Sequence, residues 1–171
     1  MRTVYQEGSV RVMEFSPDAL HLFGLGIGRH TVFTAARFLL ELRYGYRIEY
    51  LFVDGSVKAS CFVGGGSNPR YFFCGREDLM LGPYYVPPEA RGHGYAAMLL
   101  EIILRKMGLS YVCAYDYIER GNKASEETTR RAGGREVMRV SIHPLTRRMK
   151  PDPRGAYSVY RMDGGSEDQH A

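Results

Sequence analysis

One stretch decides the fold of this chain: Val86-Pro87-Pro88-Glu89-Ala90-Arg91-Gly92-His93-Gly94-Tyr95-Ala96. An extended apolar run, residues 79–86, leads into it, and apolar residues at helical spacing follow over 97–104. The prolines stop a strand, and the glycine-spaced turn opens a helix. Glycines remove the Cβ atoms that would keep a bulky ligand from the backbone, and the first helical turn presents unpaired N–H groups. The pattern predicts a phosphate-binding turn, with tight strand-to-helix packing as the alternative.

The spacing within the turn fits the pattern Arg/Gln-x-x-Gly-x-Gly/Ala. In this respect the chain resembles the acetyl-CoA loop of the GCN5-related N-acetyltransferases (GNAT). In that family the loop amides hold the CoA pyrophosphate, and the bulged end of the preceding strand pairs with pantetheine. The resemblance implies acetyl-CoA as co-substrate, bound by Tyr85, Val86, Arg91, Gly92, His93, Gly94, Tyr95 and Ala96.

Composition bounds the class of protein. The chain has 171 residues, 44% of them apolar and 25% charged, which is enough for one domain with a sizeable core. A net charge of +4 suits an anionic small ligand. The sequence shows neither a long basic helix nor the spacing of a zinc site, so we expect no nucleic-acid partner and no metal.

Cysteine usage and hydropathy indicate the compartment. Cys61, Cys74 and Cys113 are odd in number and scattered, which favours reduced thiols that serve as small apolar strand residues. The first residues lack the apolar core of a signal peptide, and no run of about 18 apolar residues occurs. We therefore expect a cytoplasmic protein that does not enter a membrane, with a single domain over 1–162 and a disordered tail over 163–171.

Hydrophobic periodicity places the elements along the chain. Ser16-Pro17-Asp18 favours the start of a helical segment that runs to Arg43 and is broken by the glycines of 24–28. Further helices are expected over 96–107 and from Asn122 to the glycines at 133–134. Strands are expected at 10–15, 47–53, 57–63, 71–74, 79–86, 110–118, 136–142 and 157–162, the last two joined by a basic loop over 147–154.

Two details of the strands fix their directions. Asp54-Gly55 is a strong signal for a two-residue hairpin between 47–53 and 57–63. A helix lies between the strands at 79–86 and 110–118, so these two should run parallel. The order of elements is that of the GNAT fold, which implies an α/β (α+β) architecture: a mixed, strongly bent sheet with splayed central parallel strands, flanked by helices.

A second motif agrees with the resemblance. The family commonly has Asn, then Ser or Ala three residues later, then a tyrosine; here the residues are Asn122, Ser125 and Thr129, followed by Ala132-Gly133-Gly134. The resemblance implies that Asn122 and Ser125 contact the pantetheine region, while simple N-capping of the helix is the alternative for Asn122. The tyrosine often protonates the departing thiolate. Thr129 stands at that position here. Another group, such as Tyr115 or Tyr117, would therefore protonate the thiolate, or the CoA thiolate would leave without being protonated.

Acetyl transfer to an amine needs an oxyanion donor and a proton acceptor. A backbone N–H near Tyr85 or Val86, at the end of the strand, is the expected oxyanion donor. The candidate catalytic side chains are Tyr84, Tyr85 and Asp116. The two tyrosines alternate in direction, so one should face the cleft, and apolar neighbours should raise the pKa of Asp116. His93 lies inside the phosphate loop, so we interpret it as a loop residue.

The strand Leu81-Gly82-Pro83-Tyr84-Tyr85-Val86 looks like that of members associated with bacterial surface-polysaccharide biosynthesis. It implies a small primary amine as acceptor, such as an amino-sugar nucleotide, whose phosphates the loop at 147–154 could contact. A peptide or protein N-acetyltransferase and a non-catalytic acyl-CoA-binding module remain as alternatives. An exposed end strand would also permit a homodimer.

Overall fold

The computed structural model describes residues 1–25, 38–144 and 146–164, and nine of its strands form one mixed sheet in the order β1-β2-β3-β4-β5-β6-β9-β7-β8. The strands are β1 Arg2–Glu7, β2 Val10–Phe15, β3 Tyr46–Val53, β4 Ser56–Gly65, β5 Leu79–Tyr85, β6 Cys113–Glu119, β7 Arg135–Ile142, β8 Met149–Pro151 and β9 Tyr157–Asp163. The described helices are the segment 38–42 (α1), Tyr95–Glu101 (α2), which continues as a π-helical turn over Ile102–Lys106, and Lys123–Arg131 (α3). A 3-10 turn, Pro88–Ala90, precedes α2.

The hairpin between β3 and β4 forms as the sequence predicts. Asp54 and Gly55 have φ angles of 50° and 75°, the pair of positive values that a type I′ turn needs. The strands pair antiparallel from Tyr46↔Gly64 to Val53↔Ser56. This turn therefore sets the register where β3 meets β4, at Val53↔Ser56, and a bulge at Leu51/Phe52 shifts the register beyond it.

The central strands β5 and β6 are parallel, which confirms the prediction from the intervening helix. Between these two described strands, the pairing consists of Leu79↔Ala114 and Met80↔Tyr115. β5 then continues to Tyr85 without a partner residue on β6. Gly82 lies at this point with φ 78°, where any other residue would be strained. The two strands therefore part, and a cleft opens at their carboxyl ends.

α2 packs one apolar face onto the sheet. Leu99, Leu100 and Ile103 are buried there in a cluster that includes Leu51 and Leu81. Fully burying each such side chain contributes about 2 kcal/mol. The amide of Met107 donates to the carbonyl of Ile102 at 3.0 Å, five residues back, and Gly108 then ends the helix with φ 63°. The packing holds the amino end of α2 beside the cleft.

The opposite face of the sheet carries aromatic packing. Phe38 of α1 lies edge-on to Tyr46 and Phe62, with ring centroids 5.3 and 5.5 Å away, and these two rings stack at 5.1 Å. A second cluster on this face includes Tyr71 and Met80. The sheet thus has a buried layer on each side.

Two predictions about local structure are wrong. Ser16-Pro17-Asp18 does not start a helix: residues 16–25 contain none, because the Asp18 carboxylate accepts the amides of Leu20 and His21 and closes a turn. The segment 71–74 is not a strand but a turn, in which the amide of Cys74 donates to the carbonyl of Tyr71 at 2.9 Å. Most of the helix break that we expected at 24–28 falls within residues 26–37, which lie outside the described residues.

The sequence reading also missed two edge strands. β1 is polar and largely exposed, so it lacks the alternation that identifies a half-buried strand. β8 occupies three residues of the segment 147–154 that we predicted to be a loop, and it pairs with β7 from Val140↔Pro151 to Ile142↔Met149. Its proline is tolerated because an edge strand does not need every donor. Asp163, assigned to the tail, ends β9 opposite Cys113; residues 165–171 lie outside the described part.

Three charged residues lie opposite one another across the neighbouring strands β1, β2 and β3. The register places Arg2 opposite Glu14, Glu14 opposite Glu49, and Glu49 opposite Cys61. Glu49 is fully buried and accepts from Nε of Arg47 at 2.8 Å; among the described residues its other oxygen has no hydrogen-bond partner. Burial raises the pKa of Glu49 to about 7, although the charge and hydrogen bond of Arg47 oppose the shift.

This raised pKa makes stability depend on pH. Glu49 is neutral in both states well below its unfolded pKa of 4.5, and its burial increasingly penalises the folded state as pH rises through 4.5 to about 7. We expect the stability of Glu49→Gln to gain on that of the wild type by an amount on the order of 2 kcal/mol between about pH 4 and pH 8. Thermal unfolding from about pH 4 to pH 8 measures this. Glu136→Gln, on an exposed pair with Arg139, is the control; a difference for Glu49→Gln that does not change with pH contradicts the argument.

Candidate functional site

A cavity of about 580 Å³ occupies the cleft where β5 parts from β6. The end of β5, the turn 86–94, the start of α2 and one side of α3 from Ala124 to Arg131 form its walls. Most of the predicted site residues meet there: Tyr84, Tyr85, Val86, Arg91, Gly92, Gly94, Tyr95, Ala96, Asn122 and Ser125. His93 and Asp116 are absent from the lining. The fold thus brings together residues from β5, α2 and α3 that are far apart in the chain.

The glycine turn has an open face toward the cavity. Gly92 and Gly94 adopt φ angles of 81° and 76°, and a Cβ added at either would meet no described atom within 4 Å. Gly94 caps α2 in the left-handed conformation. These glycines are therefore needed for the backbone path, and they leave the amides at the start of α2 accessible to a ligand.

Two side chains stabilise this turn. Nε of Arg91 donates to the carbonyl of Val86 at 3.2 Å, which ties the turn to the end of β5. Nδ1 of His93 lies 2.9 Å from the carbonyl oxygen of Arg91, and its ring stacks on Tyr95 with centroids 5.7 Å apart. His93 therefore has local partners within the turn, as expected for a loop residue.

The opposite wall begins at Asn122. Its side chain accepts the amide of Ser125 at 3.3 Å, so it caps α3, and it also lines the cavity. For Asn122 the sequence left N-capping and ligand contact as alternatives. The two roles are compatible, because the capping residue also lines the cavity. The amino end of α3 consequently faces the same cavity as the amino end of α2.

A chain of hydrogen bonds runs from the cavity wall into the core. The Tyr84 hydroxyl donates to the carbonyl of Ser125 at 2.8 Å and lies 3.1 Å from Oγ1 of Thr129. Thr129 Oγ1 is 2.8 Å from Oδ2 of Asp116. Thr129 is fully buried and Asp116 is 4% exposed. The cavity is thus linked to a buried carboxyl group through two hydroxyl groups.

Burial controls the acidity of both ends of this chain. It raises the pKa of Asp116 to about 6, although hydrogen bonds from Thr129, the Tyr117 amide and Tyr84 oppose the shift. It also raises the pKa of the Tyr84 hydroxyl well above its usual value. The expected rise in the pKa of Asp116 is present, but its cause is an interior position under α3 and not a place in the cavity lining.

Thr129 is the residue whose contribution the sequence reading missed. It stands where the resemblance led us to expect a tyrosine, and its side chain bonds to Asp116 instead of lining the cavity. The replacement acids that we considered lie elsewhere: Tyr115 packs on Phe73 with centroids 5.5 Å apart, and the Tyr117 hydroxyl accepts from Arg70 at 3.0 Å. The hydroxyl nearest to Thr129 comes from Tyr84 on β5.

The cysteines are free thiols, and Sγ of Cys113 accepts from Nε of Arg161 at 3.2 Å. Cys61 and Cys113 lie in β4 and β6, whereas Cys74 lies in a turn, which corrects its assignment to a strand. Burial raises the pKa of Cys61, and it raises that of Cys74 to about 12. Thiols held protonated in this way are poor nucleophiles.

The described ranges 1–25, 38–144 and 146–164 contain no group of three or more His, Cys, Asp and Glu side chains arranged to hold a metal ion. Nor do they contain a helix of the length and apolarity that crossing a membrane requires.

Comparison with solved structures identifies the architecture. A protein from Desulfovibrio desulfuricans, described as an acetyltransferase of the GNAT family, superimposes with a TM-score of 0.57 at 16% identity, covering 89% of this chain and 98% of its own. The chain has the GNAT fold. A ribosomal-protein alanine N-acetyltransferase from Escherichia coli aligns with a TM-score of 0.57 at 12% identity, over 94% of this chain and 98% of its own.

A third similar structure was solved with ligands. It is a microcin self-immunity acetyltransferase in complex with acetyl-CoA and AMP, with a TM-score of 0.54, 10% identity, and coverage of 79% of this chain and 72% of its own. No protein-family model and no curated protein matches the sequence. The expected fold class is confirmed, and at these identities the likeness concerns the fold.

The cap of α3 can be tested by substitution. Asn122→Ala leaves the first-turn amide of Ser125 without its acceptor, so it should lower the free energy of unfolding by about 1 kcal/mol and the melting temperature by about 2–4 °C. Asn122→Ser, which can still accept this amide, should retain most of the stability. Equal melting temperatures for the Ala and Ser variants would show that the cap contributes nothing.

Proposed function

We propose that this protein is a GNAT-superfamily N-acetyltransferase that transfers the acetyl group of acetyl-CoA to a primary amine. The observation that carries the proposal is the cavity between the parted strands, whose walls include the glycine turn. The GNAT fold supports it, as do neighbouring structures described as acetyltransferases. A cleft of this depth beside two helix amino ends suits a long, polyanionic thioester.

The wall residues fit acetyl-CoA as follows. The amides of the turn from Arg91 to Ala96 would hold the pyrophosphate, because Gly92 and Gly94 leave that side open. Tyr85 and Val86, where β5 has left β6, would contact the pantetheine arm from one side. Asn122 and Ser125 of α3 would contact it from the other.

The chemical contribution of the protein would be mainly positioning and charge stabilisation. The neutral amine attacks the thioester carbonyl and a C–N bond forms. The nitrogen then gives up one proton to solvent water, and the C–S bond breaks to release the CoA thiolate, which takes up a proton to become the thiol. A backbone N–H at Tyr85 or Val86 is the proposed donor to the oxyanion. Of the candidate side chains, Tyr84 and Tyr85 line the cavity, whereas Asp116 acts through Thr129 and Tyr84.

For the acceptor we propose a small primary amine such as an amino-sugar nucleotide, on the resemblance of residues 81–86. A peptide or protein amine is the second candidate, because one structural neighbour is described as a ribosomal-protein alanine N-acetyltransferase. A non-catalytic acyl-CoA-binding module is the third, since Thr129 replaces the usual acid. The free, buried thiols suit a reducing compartment, and we propose the cytoplasm.

Binding of acetyl-CoA can be measured by thermal unfolding. At about 100 times its dissociation constant, the ligand adds roughly 2.7 kcal/mol and should raise the melting temperature by about 5–10 °C. Gly94→Glu places a side chain and a negative charge at the phosphate site, so it should abolish the shift.

Gly108→Glu is the matched control. Gly108 also has a positive φ and an open Cβ position, but it lies at the other end of the helix that Gly94 opens. It should therefore lose similar intrinsic stability and keep the shift. The absence of a shift in the wild type, or equal shifts in the two variants, would rule out the proposed CoA site.

The acceptor class can be decided by thiol release. With acetyl-CoA saturating, release of CoA should increase at least tenfold on addition of an amino-sugar nucleotide, and less with peptides. Reaction with peptides alone would favour the protein acceptor. Binding of acetyl-CoA without release with any amine would favour the non-catalytic module.

A further inference from the structure

We propose that Asp116, Thr129 and Tyr84 form a proton relay that delivers a proton from the buried carboxyl group of Asp116 to the departing CoA thiolate. The relay rests on the proposed function and assigns its acid. Three contacts at hydrogen-bond distance carry it: Asp116 to Thr129, Thr129 to Tyr84, and Tyr84 to the carbonyl of Ser125.

Counting hydrogens shows what this geometry requires. If Asp116 is ionised, Thr129 donates its hydrogen to the carboxylate, and the single hydrogen of Tyr84 can serve only one of its two contacts, with the Ser125 carbonyl or with Thr129 Oγ1. One of the three contacts then has no hydrogen. If Asp116 is protonated, three hydrogens fill the three contacts in one direction: Asp116 donates to Thr129, Thr129 to Tyr84, and Tyr84 to Ser125. The carbonyl of Ser125 can only accept, so it fixes that direction. The complete set of bonds therefore corresponds to a proton stored on Asp116.

The surroundings of Asp116 favour the neutral form. The titratable groups that face it are Cys61 from β4, Tyr84 from β5 and Tyr160, its pairing partner on β9; α3 contributes Thr129. Arg130 of α3 bonds to the Tyr160 hydroxyl. Among the described residues Asp116 forms no ion pair, so its desolvation is opposed by neutral hydrogen bonds alone.

The direction of transfer follows from relative acidity. A thiol of ordinary pKa, about 8.5, is a weaker acid than the Asp116 carboxyl, so transfer to the thiolate is downhill, whereas transfer from an ammonium group to the carboxylate is uphill. The Tyr84 hydrogen leaves Ser125 and goes to sulfur, the Thr129 hydrogen goes to Tyr84, and the Asp116 hydrogen goes to Thr129. The products are the CoA thiol and the Asp116 carboxylate, which regains one proton from solvent.

The variant that tests the relay is Asp116→Asn. The Asn amide can donate to Thr129 and thus keep the bonds of the neutral state, but it has no acidic proton to pass on. With acetyl-CoA and a reacting amine, we expect kcat to fall about 100-fold while KM for acetyl-CoA changes less than about twofold. A purely structural role predicts wild-type kcat, because the bonds that hold Tyr84 are retained.

Thr129 provides the second arm. Thr129→Val breaks the relay at constant volume and should match Asp116→Asn, Thr129→Ser should restore most of kcat, and the double variant Asp116→Asn/Thr129→Val should lose no more than either single one. The ratio of wild-type to Asp116→Asn kcat should be largest at or below about pH 6 and should decrease as pH rises, since the stored proton is then lost. The ratio cancels the ionisation of the amine.

A third measurement needs no turnover. In infrared spectra, subtracting Asp116→Asn from the wild type should leave a protonated carboxyl band that disappears between pH 5 and 8; Glu49, whose pKa burial raises to about 7, contributes to both spectra and cancels. Absence of this Asp116-dependent band overturns the relay. Acetyl transfer with wild-type kcat in Asp116→Asn or Thr129→Val also overturns it but leaves the proposed function intact, whereas failure of the wild type to bind acetyl-CoA overturns the proposed function itself.

Discussion

The brief pairing of β5 with β6 is the constraint on which the rest of the molecule depends. Parallel strands normally satisfy one another's backbone groups along their length. Here the shared register ends at Met80 and Tyr115, and five residues of β5 extend beyond it. The edges exposed in the cleft must find other partners, and the amino ends of α2 and α3 are directed to the same space. The cavity therefore results from backbone hydrogen bonds that the sheet leaves unmade.

The parts of the site that the sequence revealed are those with local causes. The turn at Gly92 and Gly94 was predictable because positive φ angles and helix amides are properties of a few consecutive residues. The hairpin at Asp54-Gly55 and the cap at Asn122 are local in the same sense. The parallel direction of β5 and β6 followed from a helix between them.

The parts that the sequence did not reveal depend on contacts between distant residues. Thr129 lies 13 residues from Asp116 and 45 from Tyr84, and no local pattern shows that a hydroxyl would link them. Ser16-Pro17-Asp18 carries a helix-start signal, but the Asp18 side chain satisfies nearby amides in a turn. β8 was missed because three residues with a proline are identified as a strand only by the neighbour that pairs with them.

The pairing of the strands also has a consequence for hydrogen exchange. β6 is joined to β9 by seven residue pairs, and β3 to β4 along nearly the whole of both strands. The two halves of the sheet, one containing β3 and β4 and the other containing β6 and β9, are therefore each extensively hydrogen-bonded. Two residue pairs between β5 and β6 form the backbone pairing between these halves. Buried clusters that hold Leu81 with Ala114 on one face and Met80 with Val159 on the other also join them through side chains. Hydrogen exchange of the backbone amides should consequently be slow within each half of the sheet and fastest in the part of β5 beyond Met80, where β6 no longer pairs with it.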